Sequence, residues 1–84
     1  MITKNQIKLI KSLRLKKNRK QSGFFVAEGE KIVDELIGSE IDSINLFSTS
    51  EKYKNLKNYI SINSIQLKQI SNQKSPNDVV GIFK

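Results

Sequence analysis

Phe24-Phe25-Val26-Ala27-Glu28-Gly29-Glu30-Lys31-Ile32-Val33-Asp34-Glu35-Leu36-Ile37-Gly38 is the stretch that settles the fold class. Its first four residues are apolar, with aromatic and β-branched side chains, and they follow Gly23, a turn former. That combination predicts a short buried strand. Glu28-Gly29 breaks the run. Over residues 30–37, Ile32, Val33, Leu36 and Ile37 fall at helical spacing, while Lys31, Asp34 and Glu35 face outward. Gly38 stands where helices commonly end. A strand leading directly into an amphipathic helix is the building unit of an α/β domain.

The pattern repeats downstream. Residues 43–47 read as a second strand. Ser48 and Glu51 have the spacing of a capping box, which predicts a short polar helix reaching about Leu56. Residues 59–62 alternate as a third strand. Asn63 and Gln66 repeat the capping pattern before a helix over about 64–70. A polar loop with the single proline, Pro76, leads to a fourth strand at 79–83. Upstream, Thr3 and Gln6 form a capping box, and Ile2 and Ile7 are spaced to staple the same helix start. Ile7, Leu9, Ile10 and Leu13 then share an arc of about 160°, and Lys4, Lys8 and Lys11 lie within about 60° on the opposite side. Strands alternating with helices predict a three-layer α/β/α sandwich. Its four-stranded sheet is expected to be largely parallel or mixed, with helices on both faces. The 84 residues are the size of one domain, and no internal repeat or linker divides them.

Charge is distributed unevenly. Residues 1–27 hold eight Lys or Arg and no Asp or Glu; residues 28–84 hold seven basic and eight acidic residues. The overall +7 is thus an N-terminal property. A Lys-, Asn- and Ile-rich composition would by itself spread lysines evenly. Five cations crowd into residues 14–20: Arg14, Lys16, Lys17, Arg19 and Lys20. One or two would suffice to complement a helix C-terminus. A one-sided basic segment attracts polyanions. The readings left open are nucleic acid, another anionic partner and a plain solvated surface. For the lysine stripe on the first helix, the solvated face weighs at least as much as direct contact.

Much chemistry is excluded. The chain has no cysteine and no histidine, hence no disulfide, thiolate nucleophile, imidazole base or ordinary zinc site. The absence of cysteine fits a reducing compartment, and a cytoplasmic location is expected. No apolar run approaches the ~20 residues that span a bilayer, and no secretory signal follows the basic start. The four glycines build neither a phosphate loop nor a dinucleotide fingerprint. The carboxylates Asp34 and Glu35 read as a solvated helix face. Glu28 and Glu30 flank a turn where acids favour a helix start.

The cations ending in Arg19-Lys20, followed by residues 24–36 as quoted, resemble the opening of the N-terminal substrate-binding domain of SpoU-family (TrmH-type) RNA 2′-O-ribose methyltransferases. That family shows an arginine, a short spacer, F-x-V-E-G and a helix reading V-x-E-L. Ser75-Pro76-Asn77-Asp78-Val79-Val80-Gly81-Ile82 resembles the T-P-Q-G-V-x-A-V stretch that ends the domain. The likeness covers nearly the whole chain. Ala27 and Asn77-Asp78 depart from the pattern.

The resemblance implies a fold like that of kink-turn-binding ribosomal proteins. It also implies a following SPOUT methyltransferase domain that binds S-adenosylmethionine. These residues lack that domain's glycine-rich loops and catalytic arginine, so no methyl transfer, cofactor or metal is expected of them. Among matched positions Arg19 carries over as the leading RNA contact. Glu28 and Gly29 carry over as structural, with Gly29 turning the strand into the helix and Glu28 pairing with Arg19 or Lys20. Lys16, Lys17, Arg19 and Lys20 are expected to neutralise phosphates of structured RNA, rRNA or tRNA, with Arg14, Lys8 and Lys11 extending the footprint. An isolated domain is expected to be monomeric. The alternatives are a stand-alone ribosomal-type RNA-binding protein, a protein-interaction module and, third, a DNA-binding protein.

Overall fold

Four strands form one sheet in the order β1-β4-β2-β3, where β1 is Phe25–Glu28, β2 is Ser43–Ser48, β3 is Tyr59–Ser61 and β4 is Val79–Phe83. The helices are α1 (Lys4–Ser12), α2 (Lys16–Ser22), α3 (Glu30–Ile37) and α4 (Ser64–Ile70), with a 3-10 turn at Glu51–Tyr53. The structure is a computed structural model that describes every residue except Asn77, so that part of the family-like tail lies outside the described residues. Among the described residues, no helix is long and apolar enough to cross a membrane.

Local signals set most of the elements. Thr3 and Gln6 close a reciprocal capping box, with backbone-to-side-chain bonds of 2.8 and 3.1 Å; Asn63 and Gln66 close a second at 2.9 and 2.8 Å. Each box satisfies two N–H groups that a helix start otherwise leaves unpaired. Ile2 is buried, and Ile7 packs against the same core cluster. Ser48 departs from its expected role. It ends β2, fully buried, and its hydroxyl donates to the Asp78 carbonyl at 2.8 Å. Ser50 caps the following turn instead, and regular structure stops at Tyr53 rather than Leu56.

The sheet is mixed. β4 pairs antiparallel with both β1 and β2, and only β2 and β3 run parallel. The direction of β4 follows from the path of α4. Asn63 caps that helix just beyond β3, while Ser71 and Asn72 at its far end hydrogen-bond to Glu28 at the end of β1. α4 therefore crosses the sheet from edge to edge at one end, and β4 enters from that end.

The two sheet faces carry separate cores. Ile10, Leu13, Phe47, Leu67, Ile70, Val80 and Ile82 join α1 and α4 to one face. Val33, Ala27, Leu46, Tyr53, Val79 and Phe83 join α3 to the other. Alternation along β4 assigns Val80 and Ile82 to the first face, and Val79, Gly81 and Phe83 to the second. Phe83 lies directly opposite Phe25, with ring centroids 5.9 Å apart.

On the outer side of α3, Asp34 has more than a solvated role. Lys52 donates to Glu30 at 2.6 Å and also to Asp34, and the Tyr53 hydroxyl donates to Asp34 at 2.8 Å. Lys52, then Tyr53, hold the Asp34 carboxyl below its ordinary value of 3.8. Burial first, and Asp34 second, push the Tyr53 phenol up to about 12. A carboxyl lowered in the folded state stabilises above its unfolded pKa, and that contribution is lost as pH falls through the folded value. The gap in melting temperature between the wild-type chain and Asp34→Asn is therefore expected to be widest at neutral pH. It should narrow as pH drops below 3.8. A gap independent of pH would remove Asp34's charge from the account.

Candidate nucleic-acid interface

The basic segment is not a simple extension of α1. Leu13 ends that helix, and Leu15 turns extended at φ −91°, ψ 129°. The chain then makes a separate two-turn helix, α2, that buries no residue. An isolated helix of seven residues is unstable in water, so other contacts must hold it. Two side chains of α2 reach back to the final carbonyls of α1. Asn18 donates to Ser12 at 2.8 Å, while Arg19 Nη1 donates to Leu13 at 2.8 Å and Arg14 at 2.9 Å. The Ser12 carbonyl also accepts from the Leu15 N–H at 3.2 Å; carbonyls at a helix end lack the usual intrahelical partners, and a cation there complements the helix dipole. Gly23, at φ +76°, closes α2 with its N–H on the Arg19 carbonyl at 2.9 Å.

Arg19, the leading contact expected from the sequence, is thus half-buried and braces the corner between the two helices. Arg19→Ala removes two charge-assisted bonds. Such bonds contribute about 1.5–3 kcal/mol, and urea unfolding should show a loss of about that size. Arg19→Lys keeps the charge but not the planar fork, so an intermediate loss is expected. Equal stability in all three proteins would show that Arg19 does not brace the corner.

Lys16, Lys17 and Lys20 are exposed, and helical geometry sets them within about 100° of one another. Lys4, Lys8 and Lys11 are exposed on α1. Among the described residues, the ion pairs are Lys52 with Glu30 and Asp34, and Lys54 with Glu51, and no carboxylate forms an ion pair with the cations of α1 or α2.

Glu28 has partners that the sequence did not suggest. Its carboxylate accepts from the Ser71 hydroxyl at 2.5 Å and from the Asn72 N–H at 2.8 Å. It makes no ion pair with Arg19 or Lys20 among the described residues, because the end of α4 arrives at the tip of β1 and supplies donors first. Arg14 Nη2 donates to the Ser71 carbonyl at 3.3 Å, so Ser71 links the cation to the carboxylate. Gly29, at φ +102°, turns β1 into α3 and donates to the Val79 carbonyl at 3.0 Å. Only glycine adopts that conformation readily.

Together these elements border a cleft of about 360 Å3 that lies beside the edge strand β1. Ile10, Leu13, Val26 and Ile70 form its apolar side; Arg14, Arg19, Glu28 and Asn72 supply its polar groups. No local pattern along the chain signals this cleft, because Glu28 meets Ser71 and Asn72 across 43 and 44 residues. Among the described residues, no group of three acidic, His or Cys side chains is arranged to hold a metal ion.

Solved structures share this arrangement of elements. A protein from Porphyromonas gingivalis, assigned as an RNA methyltransferase of the TrmH family, superposes with a TM-score of 0.86 at 28% identity. The match covers all of this chain and 36% of that one. An rRNA methyltransferase from Sinorhizobium meliloti gives 0.77 at 24% identity, covering all of this chain and 35% of that one. Its AdoMet-bound form gives 0.76 at 24%, covering all of this chain and 34% of that one. The chain thus spans about a third of the length of these proteins. No curated protein matches it in sequence. Residues 4–81, from the first residue of α1 into β4, match the MRM3-like substrate binding domain, and the chain belongs to that family.

Proposed function

We propose that this domain recognises structured RNA, rRNA or tRNA, for a 2′-O-ribose methyltransferase whose catalytic SPOUT domain lies in another part of the parent protein. The observation that carries the reading is the cluster of Lys16, Lys17 and Lys20, exposed on α2 and free of ion pairs with described carboxylates. Its physical basis is counterion release, in which each phosphate neutralised by a lysine frees a condensed cation. Family membership and the likeness to an RNA methyltransferase supply the substrate class. Arg14, Lys8 and Lys11 extend the footprint on this reading, and Arg19 acts chiefly by holding α2 in place.

S-adenosylmethionine belongs to the catalytic domain. The glycines here do not suit it: Gly23 closes α2, Gly29 opens α3, Gly38 ends α3 and Gly81 lies in the sheet. None is left to form a loop around a cofactor. The deciding experiment is the salt dependence of RNA affinity, read with and without the α2 lysines; a flat response refutes the mechanism.

A further inference from the structure

We propose that the cleft between α1, Arg19, β1 and the end of α4 receives one unstacked nucleotide of the bound RNA, guanosine in preference to other bases. The inference rests on the RNA-binding reading and adds a base-reading subsite to it. The starting observation is a separation of charge. Arg14 and Arg19 border the same cleft as Glu28, yet none of them is ion-paired to another among the described residues. Each is held by neutral groups: Arg14 by the Ser71 carbonyl, Arg19 by two carbonyls of the α1 end, Glu28 by Ser71 and Asn72. The cleft thus presents fixed cationic donors and a fixed anionic acceptor beside the half-buried Val26, with Ile10, Leu13 and Ile70 buried behind it.

A nucleotide has the complementary set of groups. Its phosphate suits a guanidinium, its base suits an apolar wall, and its Watson–Crick edge can meet a carboxylate. The volume of about 360 Å3 falls at the small end of ligand sites. Glu28 selects among bases because an ionised carboxylate only accepts hydrogen bonds. Guanine places two donors side by side, N1–H and the N2 amine. Adenine, cytosine and uracil each set an acceptor next to their donor, and its lone pair would oppose the carboxylate. Each Glu28 oxygen already accepts one bond and has a further lone pair available. Those existing bonds fix the carboxylate before the ligand arrives.

The test uses the 84-residue protein and a hairpin RNA with one unpaired guanosine in its loop. The same hairpin is made with inosine, which lacks only the N2 amine, and with adenosine. Binding of the guanosine hairpin should shift the methyl resonances of Val26 and Ile70, and both replacements should weaken affinity about tenfold. Glu28→Gln should erase the preference for guanosine over inosine while keeping the steep salt dependence. Equal affinity for the three hairpins, or a preference that survives Glu28→Gln, overturns the subsite and leaves the RNA-binding reading standing. Failure of every hairpin to bind at low salt overturns both. The inosine comparison needs no protein variant, so it decides the matter even if Glu28→Gln does not fold.

Discussion

Alanine at Lys16, Lys17 and Lys20 together is expected to lower affinity for a structured RNA about 100-fold at low salt, with the fold intact. Alanine is the best helix former, and α2 is held by Asn18, Arg19 and Gly23 rather than by these lysines. The substitution therefore removes charge and little else. The magnitude follows from the salt law. Each lost lysine–phosphate contact reduces the slope of log affinity against log salt by about 0.7–1, so three together should flatten it by about two to three. With four to six phosphates engaged, the unaltered domain should lose roughly 50- to 2,000-fold between 50 and 200 mM salt. Lys8→Ala with Lys11→Ala should cost less, because the α1 stripe lies at the margin of the proposed footprint. Filter binding or fluorescence anisotropy across four salt concentrations gives both slope and intercept. If the triple variant kept the original slope, α2 would not be the surface that meets RNA.

Gly81→Ala is expected to destabilise the domain by about 1–3 kcal/mol, the usual cost of overpacking a core. The sign is informative, because the general strand rule predicts the opposite. Alanine in a strand interior is ordinarily better than glycine by about 0.5–1 kcal/mol. Here an added Cβ would lie 2.5 Å from Phe83 Cε2 and 3.1 Å from Leu46 Cδ2. Phe83 and Leu46 are both buried in the α3-side core, and the Phe83 ring rests against Phe25. Neither can yield without disturbing that layer. A domain of this length has about 4–12 kcal/mol of total stability, so the loss is a large fraction of it. The melting temperature should fall by about 5–20 °C. A rise would show that Phe83 repacks freely, and that the close contact is not a constraint.

The parts of the fold that were legible in sequence rest on short-range physics. The strand–helix unit at 24–38 follows from neighbouring residues, both genuine capping boxes join residues three apart, and the structure has them, with Ile2 and Ile7 in or against one core cluster. What escaped depends on distance or on competition. Ser48 has the spacing of a cap, but a buried place in β2 and a bond to Asp78, 30 residues away, take its hydroxyl first. α2 has no apolar stripe to betray it, because polar side chains hold it rather than burial. Alternation of elements predicts neighbours but not strand order, so the central antiparallel position of β4 follows only from the path of α4 across the sheet. In the candidate site, the exposed lysines were readable from charge alone. The inward turn of Arg19 and the tie of Glu28 to Ser71 were not, since a basic run says nothing about which cation faces its own backbone.

The place of β4 between β1 and β2 has a consequence for how the molecule comes into being. The strand on which both its neighbours depend is the last of the four to leave the ribosome. Until Val79–Phe83 emerges, the nascent chain has only the small β2–β3 pair to assemble, and β1 has no strand partner. Folding of this sheet must therefore wait for its final element, rather than proceeding from the N-terminus as synthesis advances.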